Sequence, residues 1–329
     1  MEQTDLYPLK FEPIYQYRIW GGRRLVDLLS KPLPPDELIG EAWILSDRDD
    51  HPSKIINGAL EGQTIGQVLE HSAEKLLGSA ALKFKKFPLL LKFLDCKQVL
   101  SVQVHPSDEL SEYIPEGESG KTEAWVVLET GEEAIIYAGL KPGTTENDIR
   151  EKLAEHQVAD CLASFKPNAG DCVLIKAGTV HTLGDVVVFE VQENSDITYR
   201  LYDWDRVDQK TGKPRDLQVE QAIACIDFNE TEVKPVQPVK IDDGKARYEQ
   251  LVIDKHFKIQ RFSGTEPFSV GKDGAARILV CVKGSGEVDH KNDVYPFKKG
   301  EVMLIPATIG ACPFVPMDNV TLLEITLPE

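Results

Sequence analysis

Four side chains in three short segments have the residue types and spacing of a metal-ligand set: Gln103, His105, Glu123 and His181. Gln103 and His105 are two residues apart in an apolar run, so on a strand their side chains point to the same face. Leaving them buried without partners would be costly. Imidazole nitrogens, a carboxylate and an amide oxygen suit zinc or a similar first-row ion. We therefore predict a divalent metal with one open position for water or substrate.

A second polar group follows in the segment 190–200, which continues from an apolar strand at 186–190. It contains Glu190, Asp196 and Arg200. Carboxylates beside a metal are candidates for proton transfer, and arginine suits the recognition of oxyanions. The alternative is a solvated loop held by salt bridges. We expect the three side chains to face the metal pocket.

Several further polar residues lie close to the metal segment. Lys92 interrupts the apolar run 89–94 and, if buried, needs a partner or a task. Ser101 shares the strand face of Gln103 and His105, and Lys121 precedes Glu123 by two residues. An anionic substrate beside the metal would use such groups. We assign Ser101, Lys92 and Trp20 to substrate binding, although a tryptophan more commonly packs in the core or in a pocket wall.

The elements that position these residues are expected to be mostly strands. Apolar runs predict strands at 88–94, 99–105, 172–176 and 186–191, and a hairpin across 124–138 that turns at 130–133. Helical spacing or capping residues predict helices at 63–78, from Thr144 or Thr145 onward, at 155–163 and at 217–226.

An internal repeat indicates two similar modules. GDCVLIKAGTVH at 170–181 aligns with GEVMLIPATIGA at 300–311, and each segment has a glycine-acid turn, an apolar strand and a second turn. This pattern is typical of cupin jelly rolls. Ala311 stands where the first copy has His181, so only the first module is expected to hold metal. We predict a mainly β chain of two cupin-type jelly-roll modules with a few peripheral helices. The N-terminal module covers 1–228, a linker 229–246 and the C-terminal module 247–329.

Composition excludes several classes of function. The 329 residues carry a net charge of -17, which argues against nucleic-acid binding. The sequence has no run of eighteen apolar residues, so we expect no membrane span, and the N-terminal segment does not resemble a signal peptide. Six scattered cysteines, without a C-x-x-C pair, indicate reduced thiols in a cytoplasmic protein. Oligomeric state is not predicted.

Together these segments resemble the zinc-dependent, cupin-type mannose-6-phosphate isomerases, in their short bacterial form. The motifs lie at 17–21, 41–43, 100–106, 121–123, 177–181 and 190–205, with LSVQVHP at 100–106 the most specific. The resemblance implies one zinc per chain on the four residues named first. It also places Ser101 at the substrate phosphate, Lys92 and Lys121 in the pocket, and Glu190, Asp196 and Arg200 in the catalytic cluster. Longer members have a histidine where this chain has Gly120.

The resemblance implies reversible conversion of mannose 6-phosphate to fructose 6-phosphate through an enediol, by zinc-assisted proton transfer. As the base we rank Glu190 first, Asp196 second and Lys121 third, with Arg200 at the oxyanions. Two other classes remain open. One is a different metal-dependent cupin, acting on a related sugar phosphate or as an oxygenase, and the other is a non-catalytic sugar-binding cupin.

Overall fold

The computed structural model describes residues 5–229, 232–242 and 247–328, and strands outnumber helices in them. The strands up to the predicted linker are β1 (Leu9–Lys10), β2 (Ile14–Gly22), β3 (Ile39–Leu45), β4 (Asp47–Arg48), β5 (His51–Pro52), β6 (Leu89–Cys96), β7 (Val102–Val104), β8 (Glu123–Leu140), β9 (Leu162–Phe165), β10 (Cys172–Ile175), β11 (His181–Glu193), β12 (Tyr199–Tyr202), β13 (Val207–Asp208) and β14 (Lys213–Pro214). The remaining strands are β15 (Val239–Asp242), β16 (Arg247–Ile253), β17 (Lys258–Gly264), β18 (Phe268–Val270), β19 (Arg277–Lys283), β20 (Ser285–His290), β21 (Asp293–Lys298), β22 (Val302–Ile305), β23 (Cys312–Pro316) and β24 (Val320–Thr326).

Helices are few and lie outside the sheets. The α-helices are α1 (Leu25–Leu29), α2 (Ile65–Leu77), α3 (Glu146–Ala154) and α4 (Val219–Cys225), and 3₁₀ turns occur at Gly58–Leu60, Ser79–Leu82, Ser111–Tyr113 and Val158–Cys161. The predicted helices at 63–78, from Thr145 and at 217–226 are confirmed. Within the described residues, none of the helices has both the length and the apolar character needed to cross a membrane.

The first module is built on a nine-stranded antiparallel sheet. Its main path runs β10-β8-β11-β6-β3-β2, with β9 beside β8 and β7 between β11 and β12. The long strand β11 pairs with β6, β7 and β8, so the sheet curls around it. Trp125, Val173 and Val188 pack with the other apolar side chains of this curl. The curl gives the strands of this module a common concave face.

The second module has the two sheets of a jelly roll. A seven-stranded sheet runs β1-β22-β19-β24-β17-β16-β15, and a four-stranded sheet runs β18-β23-β20-β21. Between them lie Val288, Phe297, Met303, Phe314 and other apolar side chains. The prediction of two mainly β jelly-roll modules is confirmed. The interior of the second is mostly apolar, with one buried charged pair, Arg277 and Glu324, whereas the first carries the candidate metal ligands.

The repeat appears as the same local structure in both modules. Gly170 and Gly300 both adopt positive φ, 94° and 84°, a conformation that glycine takes without steric cost. Each turn leads directly into a four-residue strand, β10 or β22. The alignment of these two segments therefore reflects matching backbone geometry.

The predicted hairpin at 124–138 is wrong. Residues Glu123–Leu140 form one continuous strand, β8, which pairs with β11 along most of its length. The predicted turn at 130–133 is an irregularity in this ladder, because pairing shifts between Gly184 and Val186 of the partner. A glycine among acidic residues marks a bulge as readily as a turn. The predicted helical patch at 155–163 is likewise only the 3₁₀ turn Val158–Cys161.

Strand pairing crosses or extends the predicted module boundaries in two places. Strand β1 lies within the N-terminal part of the chain but pairs with β22 in the second module. The linker at 229–246 lies partly outside the described residues, and its described end forms β15 at the edge of the second module's sheet. The division into 1–228 and 247–329 remains our proposal.

Candidate metal centre and acid–base cavity

Strand pairing and one turn bring the four predicted ligands together. Gln103 in β7 lies directly opposite His181 of β11 on one side and Arg200 of β12 on the other. Glu123 begins β8 and pairs with Ile175 at the end of β10. The turn at 176–180 then carries the chain from β10 back to His181. As a result Glu123 and His181 meet, although they lie at opposite ends of the β8–β11 ladder.

Three of the four predicted ligands form a compact buried cluster. His105, Glu123 and His181 offer ligand atoms that all lie within 4.8 Å of one another. Nε2 of each histidine lies 3.4 Å from an oxygen of Glu123. His105 Nε2 and both Glu123 oxygens are buried and form no hydrogen bond among the described residues, although Oε2 of Glu123 forms an ion pair with Lys121. Orphaned nitrogen and oxygen atoms facing one another fit a cation between them.

Both imidazoles are fixed in the tautomer that a metal requires. Nδ1 of His105 lies 2.8 Å from the carbonyl oxygen of Ile197, and Nδ1 of His181 lies 2.8 Å from that of Thr179. Each Nδ1–H donates to a carbonyl, which leaves Nε2 as a free acceptor. Burial lowers the pKa of both residues, that of His105 to about 3, so both rings are neutral.

Gln103 lies beside this cluster but turns its amide nitrogen toward it. Its Nε2 is 3.2 Å from Nε2 of His181, and its Oε1 accepts a hydrogen bond of 3.2 Å from Ser101. Rotating the amide by half a turn exchanges its oxygen and nitrogen. The hydrogen bond with Ser101 is kept in the rotated orientation, because the hydroxyl can accept as well as donate. Gln103 is therefore placed to supply an oxygen ligand in that orientation.

Lys121 is a charged partner of the cluster. Its Nζ lies 2.9 Å from Glu123. Burial opposes the charged form of the amine, but the carboxylates of Glu123, Glu190 and Asp196 outweigh it and raise the pKa of Lys121. The side chain is a fixed cation at neutral pH, which disfavours it as a base.

Beside the cluster lies a cavity of about 390 Å³, and Gln103 and Lys121 are part of its lining. One wall is a row of cross-strand neighbours, in which Lys92, Glu190 and Trp125 lie opposite one another on β6, β11 and β8, and Trp43 of β3 lies behind the wall, opposite Lys92. Side chains opposite one another share a face of the sheet. Trp125 donates a 2.9 Å hydrogen bond to Glu190. Pairing across the sheet thus assembles a polar wall from residues far apart in sequence.

Lys92 is surrounded by acids. Its Nζ lies 3.5 Å from Glu190, 3.4 Å from Asp196 and 3.9 Å from Glu41, and 4.8 Å above the ring of Trp43. Because three carboxylates surround its ammonium group, Lys92 is poorly suited to bind an anion. Its position suits a role in holding the carboxylates and reaching a sugar hydroxyl.

Glu190 and Glu41 face the same lysine in different environments. Burial and the charge of Glu123 raise the pKa of Glu190 to about 7, against the effect of nearby lysines. Burial also disfavours charged Glu41, but Arg18 and Lys92 outweigh it and lower its pKa to about 2. Arg18 binds Glu41 through two hydrogen bonds, of 2.8 and 3.1 Å. Of the two, only Glu190 can change its protonation state near neutral pH.

The other predicted site residues line the same cavity. Arg200 contacts Ser101 through a 3.3 Å hydrogen bond and the carbonyl oxygen of Asp216 at 2.9 Å. Burial, with Arg215 and other cations nearby, lowers the pKa of Arg200 to about 10. Asp196 and Trp20 also face the cavity. All the predicted site residues therefore lie in or beside one cavity.

Sequence reasoning missed Arg18, Glu41 and Arg215 as cavity residues. Arg18 and Glu41 belong to the motifs at 17–21 and 41–43. A signal was therefore present, but no spacing rule connects residues of β2 and β3 to a ligand set that begins only at Gln103. Arg215 follows the exposed strand β14 and gave no comparable signal.

Comparisons with known proteins cover both modules. A family model described as phosphomannose isomerase type I, catalytic domain, matches residues 8–123. A second, mannose-6-phosphate isomerase, cupin domain, matches residues 248–313. The first match includes Gln103, His105 and Glu123.

Curated relatives and a solved structure match nearly the whole chain. Mannose-6-phosphate isomerase ManA of Bacillus subtilis (strain 168) is 34% identical over 305 residues, which are 92% of this chain and 94% of the relative. The mannose-6-phosphate isomerase of Streptococcus mutans is 30% identical over 93% of this chain and 95% of its own length. The crystal structure of the mannose 6-phosphate isomerase from Bacillus subtilis aligns with a TM-score of 0.89 at 28% identity, covering 97% of this chain and 99% of that one.

Proposed function

The chain belongs to the type I phosphomannose isomerase family, and we propose that its buried His105–Glu123–His181 cluster, with Gln103, binds one zinc ion that assists proton transfer. The protein is an aldose–ketose isomerase that interconverts mannose 6-phosphate and fructose 6-phosphate. The single observation that carries the metal proposal is the group of orphaned atoms on His105 and Glu123.

Zinc fits the residues present, because two imidazoles, a carboxylate and an amide are a borderline-soft donor set. When bound, the ion would supply Lewis-acid polarisation of the sugar oxygens. Lys121, held 2.9 Å from Glu123, would limit the negative charge of the ligand set. The carbonyls that accept from the two Nδ1–H groups would keep both rings oriented.

Glu190 is our first choice as the group that moves the carbon-bound proton between C1 and C2. With a pKa of about 7 it can accept and return a proton near neutral pH. Trp125 and Lys92 fix its two oxygens in the wall of the cavity. Asp196 is second, because it is more exposed than Glu190. Lys121 is third, because its carboxylate neighbours keep it protonated.

The remaining roles follow from position. Arg200 lies next to Gln103 and would stabilise the oxyanions of the enediol. Ser101, hydrogen-bonded to Arg200, would donate to the phosphate. Lys92 would hold a sugar hydroxyl, and Trp20 would form an apolar wall of the cavity.

We also propose a cytoplasmic location. All six cysteines are buried free thiols, which is typical of proteins in reducing compartments.

A coupled assay tests the zinc proposal. Fructose 6-phosphate formation from mannose 6-phosphate is followed before and after removal of metal by a chelator, and after addition of zinc. We expect activity to be lost and then restored, with about one zinc per chain in the restored protein by elemental analysis. Full activity in metal-free protein would contradict the proposal.

A further inference from the structure

The second module reaches the metal-ligating segment through one side chain. His256 lies in the turn between β16 and β17, and its Nδ1 is 2.5 Å from Oε1 of Glu193, at the end of β11. Both side chains are about 12% exposed. This ion pair joins the second module to the module that carries the His105–Glu123–His181 cluster.

Glu193 in turn holds the segment that contains Lys121 and Glu123. Its Oε1 accepts a 2.8 Å hydrogen bond from the backbone N–H of Thr122, and its own N–H donates to the Thr122 carbonyl at 3.2 Å. Thr122 lies between the lysine and the ligand of the centre. A shift of Glu193 would therefore move both side chains at once.

A second carboxylate, close to Glu193, holds the same segment. Asp108 accepts a 2.7 Å hydrogen bond from the N–H of Gly120. Asp108, Glu193 and His256 have polar atoms within 4.8 Å of one another. A positive charge between two carboxylates reduces their repulsion, and both carboxylates are bonded to the segment 120–122. Burial disfavours charged His256, but Glu193 and Asp254 outweigh it and raise its pKa.

We propose that His256 is a positioning residue for the metal centre: it anchors Glu193, and through Thr122 it fixes the segment that presents Lys121 and Glu123. The inference rests on the proposed metal centre. It gives the second module a part in building the active site of the first. Outer partners of metal ligands commonly change metal affinity when they are removed.

The test compares two side chains that both cross the module boundary. Arg261 of the second module donates a 2.7 Å hydrogen bond to the carbonyl of Gly170 in the first, and its side chain is 15% exposed. Among the described residues its hydrogen bonds and ion pairs go to Gly170 and Glu249, not to the segment 120–123. His256→Ala and Arg261→Ala are loaded with zinc alone, and the zinc affinity of each is measured by competition with a chromogenic chelator. We expect affinity to fall about 10-fold in His256→Ala and to stay at the wild-type value in Arg261→Ala.

Equal zinc affinity in the two variants would overturn the inference, whether both match the wild type or both are weakened. If His256→Ala does not fold, His256→Gln and Arg261→Gln provide the same comparison with the same two outcomes. Absence of zinc from the wild-type protein would instead refute the metal centre itself, and that measurement precedes the variants.

Discussion

Glu190 and Glu41 show how two buried carboxylates beside one lysine acquire different chemistry. The charge of Glu41 is balanced by Arg18, which donates two hydrogen bonds to it, and Trp43 donates a further hydrogen bond of 2.6 Å. Glu190 has one tryptophan N–H, a lysine at 3.5 Å and the unfavourable charge of Glu123. Environments that push two pKa values apart are a mark of acid–base assignment. Glu41 is held as a permanent anion, and Glu190 is free to exchange a proton.

Replacing Glu190 with glutamine should abolish most turnover without removing the metal. Glutamine keeps the shape and an acceptor for Trp125 but cannot carry the proton, so kcat should fall about 100- to 10,000-fold. The coupled assay measures kcat, and elemental analysis measures zinc. Asp196→Asn is the comparison. Normal turnover in Glu190→Gln together with inactive Asp196→Asn would transfer the role to Asp196.

His181→Ala should lose both metal and activity. The substitution removes one of three clustered ligands and leaves buried Glu123 with one fewer neighbour. We expect zinc well below one equivalent per chain by elemental analysis. His71→Ala, in an exposed histidine of α2, is the matched control and should keep its zinc. Stoichiometric zinc in His181→Ala would show that the ligand assignment is wrong.

At the scale of elements, local signals in the sequence predicted local structure and no more. Capping boxes at Thr64–Gln67 and Thr145–Asp148 set the starts of α2 and α3, because all the groups involved lie within one turn. The strands around the ligands were also predicted, from apolar runs. The path of β8 was not predicted. The sequence of a bulged strand can look like that of a hairpin, and the two differ in which strand lies alongside. The same limit hid Glu41, which reaches the cavity through pairing of β3 with β6.

The two turn glycines of the repeat should differ in their tolerance of alanine. Both have positive φ, which costs an alanine about 1–2 kcal/mol. A Cβ on Gly170 would meet only Arg261 Nη1 at 3.6 Å, an ordinary contact. A Cβ on Gly300 would lie 2.1 Å from the backbone oxygen of Leu28, so α1 must move.

Gly300→Ala should therefore lower the free energy of unfolding by about 3 kcal/mol or more, and Gly170→Ala by about half as much. Urea denaturation followed by circular dichroism measures both values. Similar losses in the two variants would mean that α1 does not press on the Gly300 turn.

At the scale of the molecule, the two modules share one hydrophobic core. A single cluster of buried side chains includes Leu25 of α1, Val68 of α2, Phe189 of β11, Ile259 of β17 and Leu304 of β22. Backbone contacts reinforce it, since the N–H of Ala307 donates a 2.9 Å hydrogen bond to the carbonyl of Leu76. The sequence repeat predicted two modules, but repetition carries no information about how the copies pack against each other.

This shared core predicts that the protein unfolds as one unit. Separating the modules would expose the apolar faces of α1 and α2 to water and remove the partner of β1, a loss that neither half can offset alone. Scanning calorimetry of the zinc-loaded protein should give a single transition with equal calorimetric and van't Hoff enthalpies. A fragment of residues 1–228 should lack that transition and bind zinc weakly. Expressing residues 229–329 in the same cell should restore both, because the missing surface is then supplied in trans. Two separate transitions in the intact chain, or a fragment that unfolds cooperatively by itself, would show that the boundary divides independent domains.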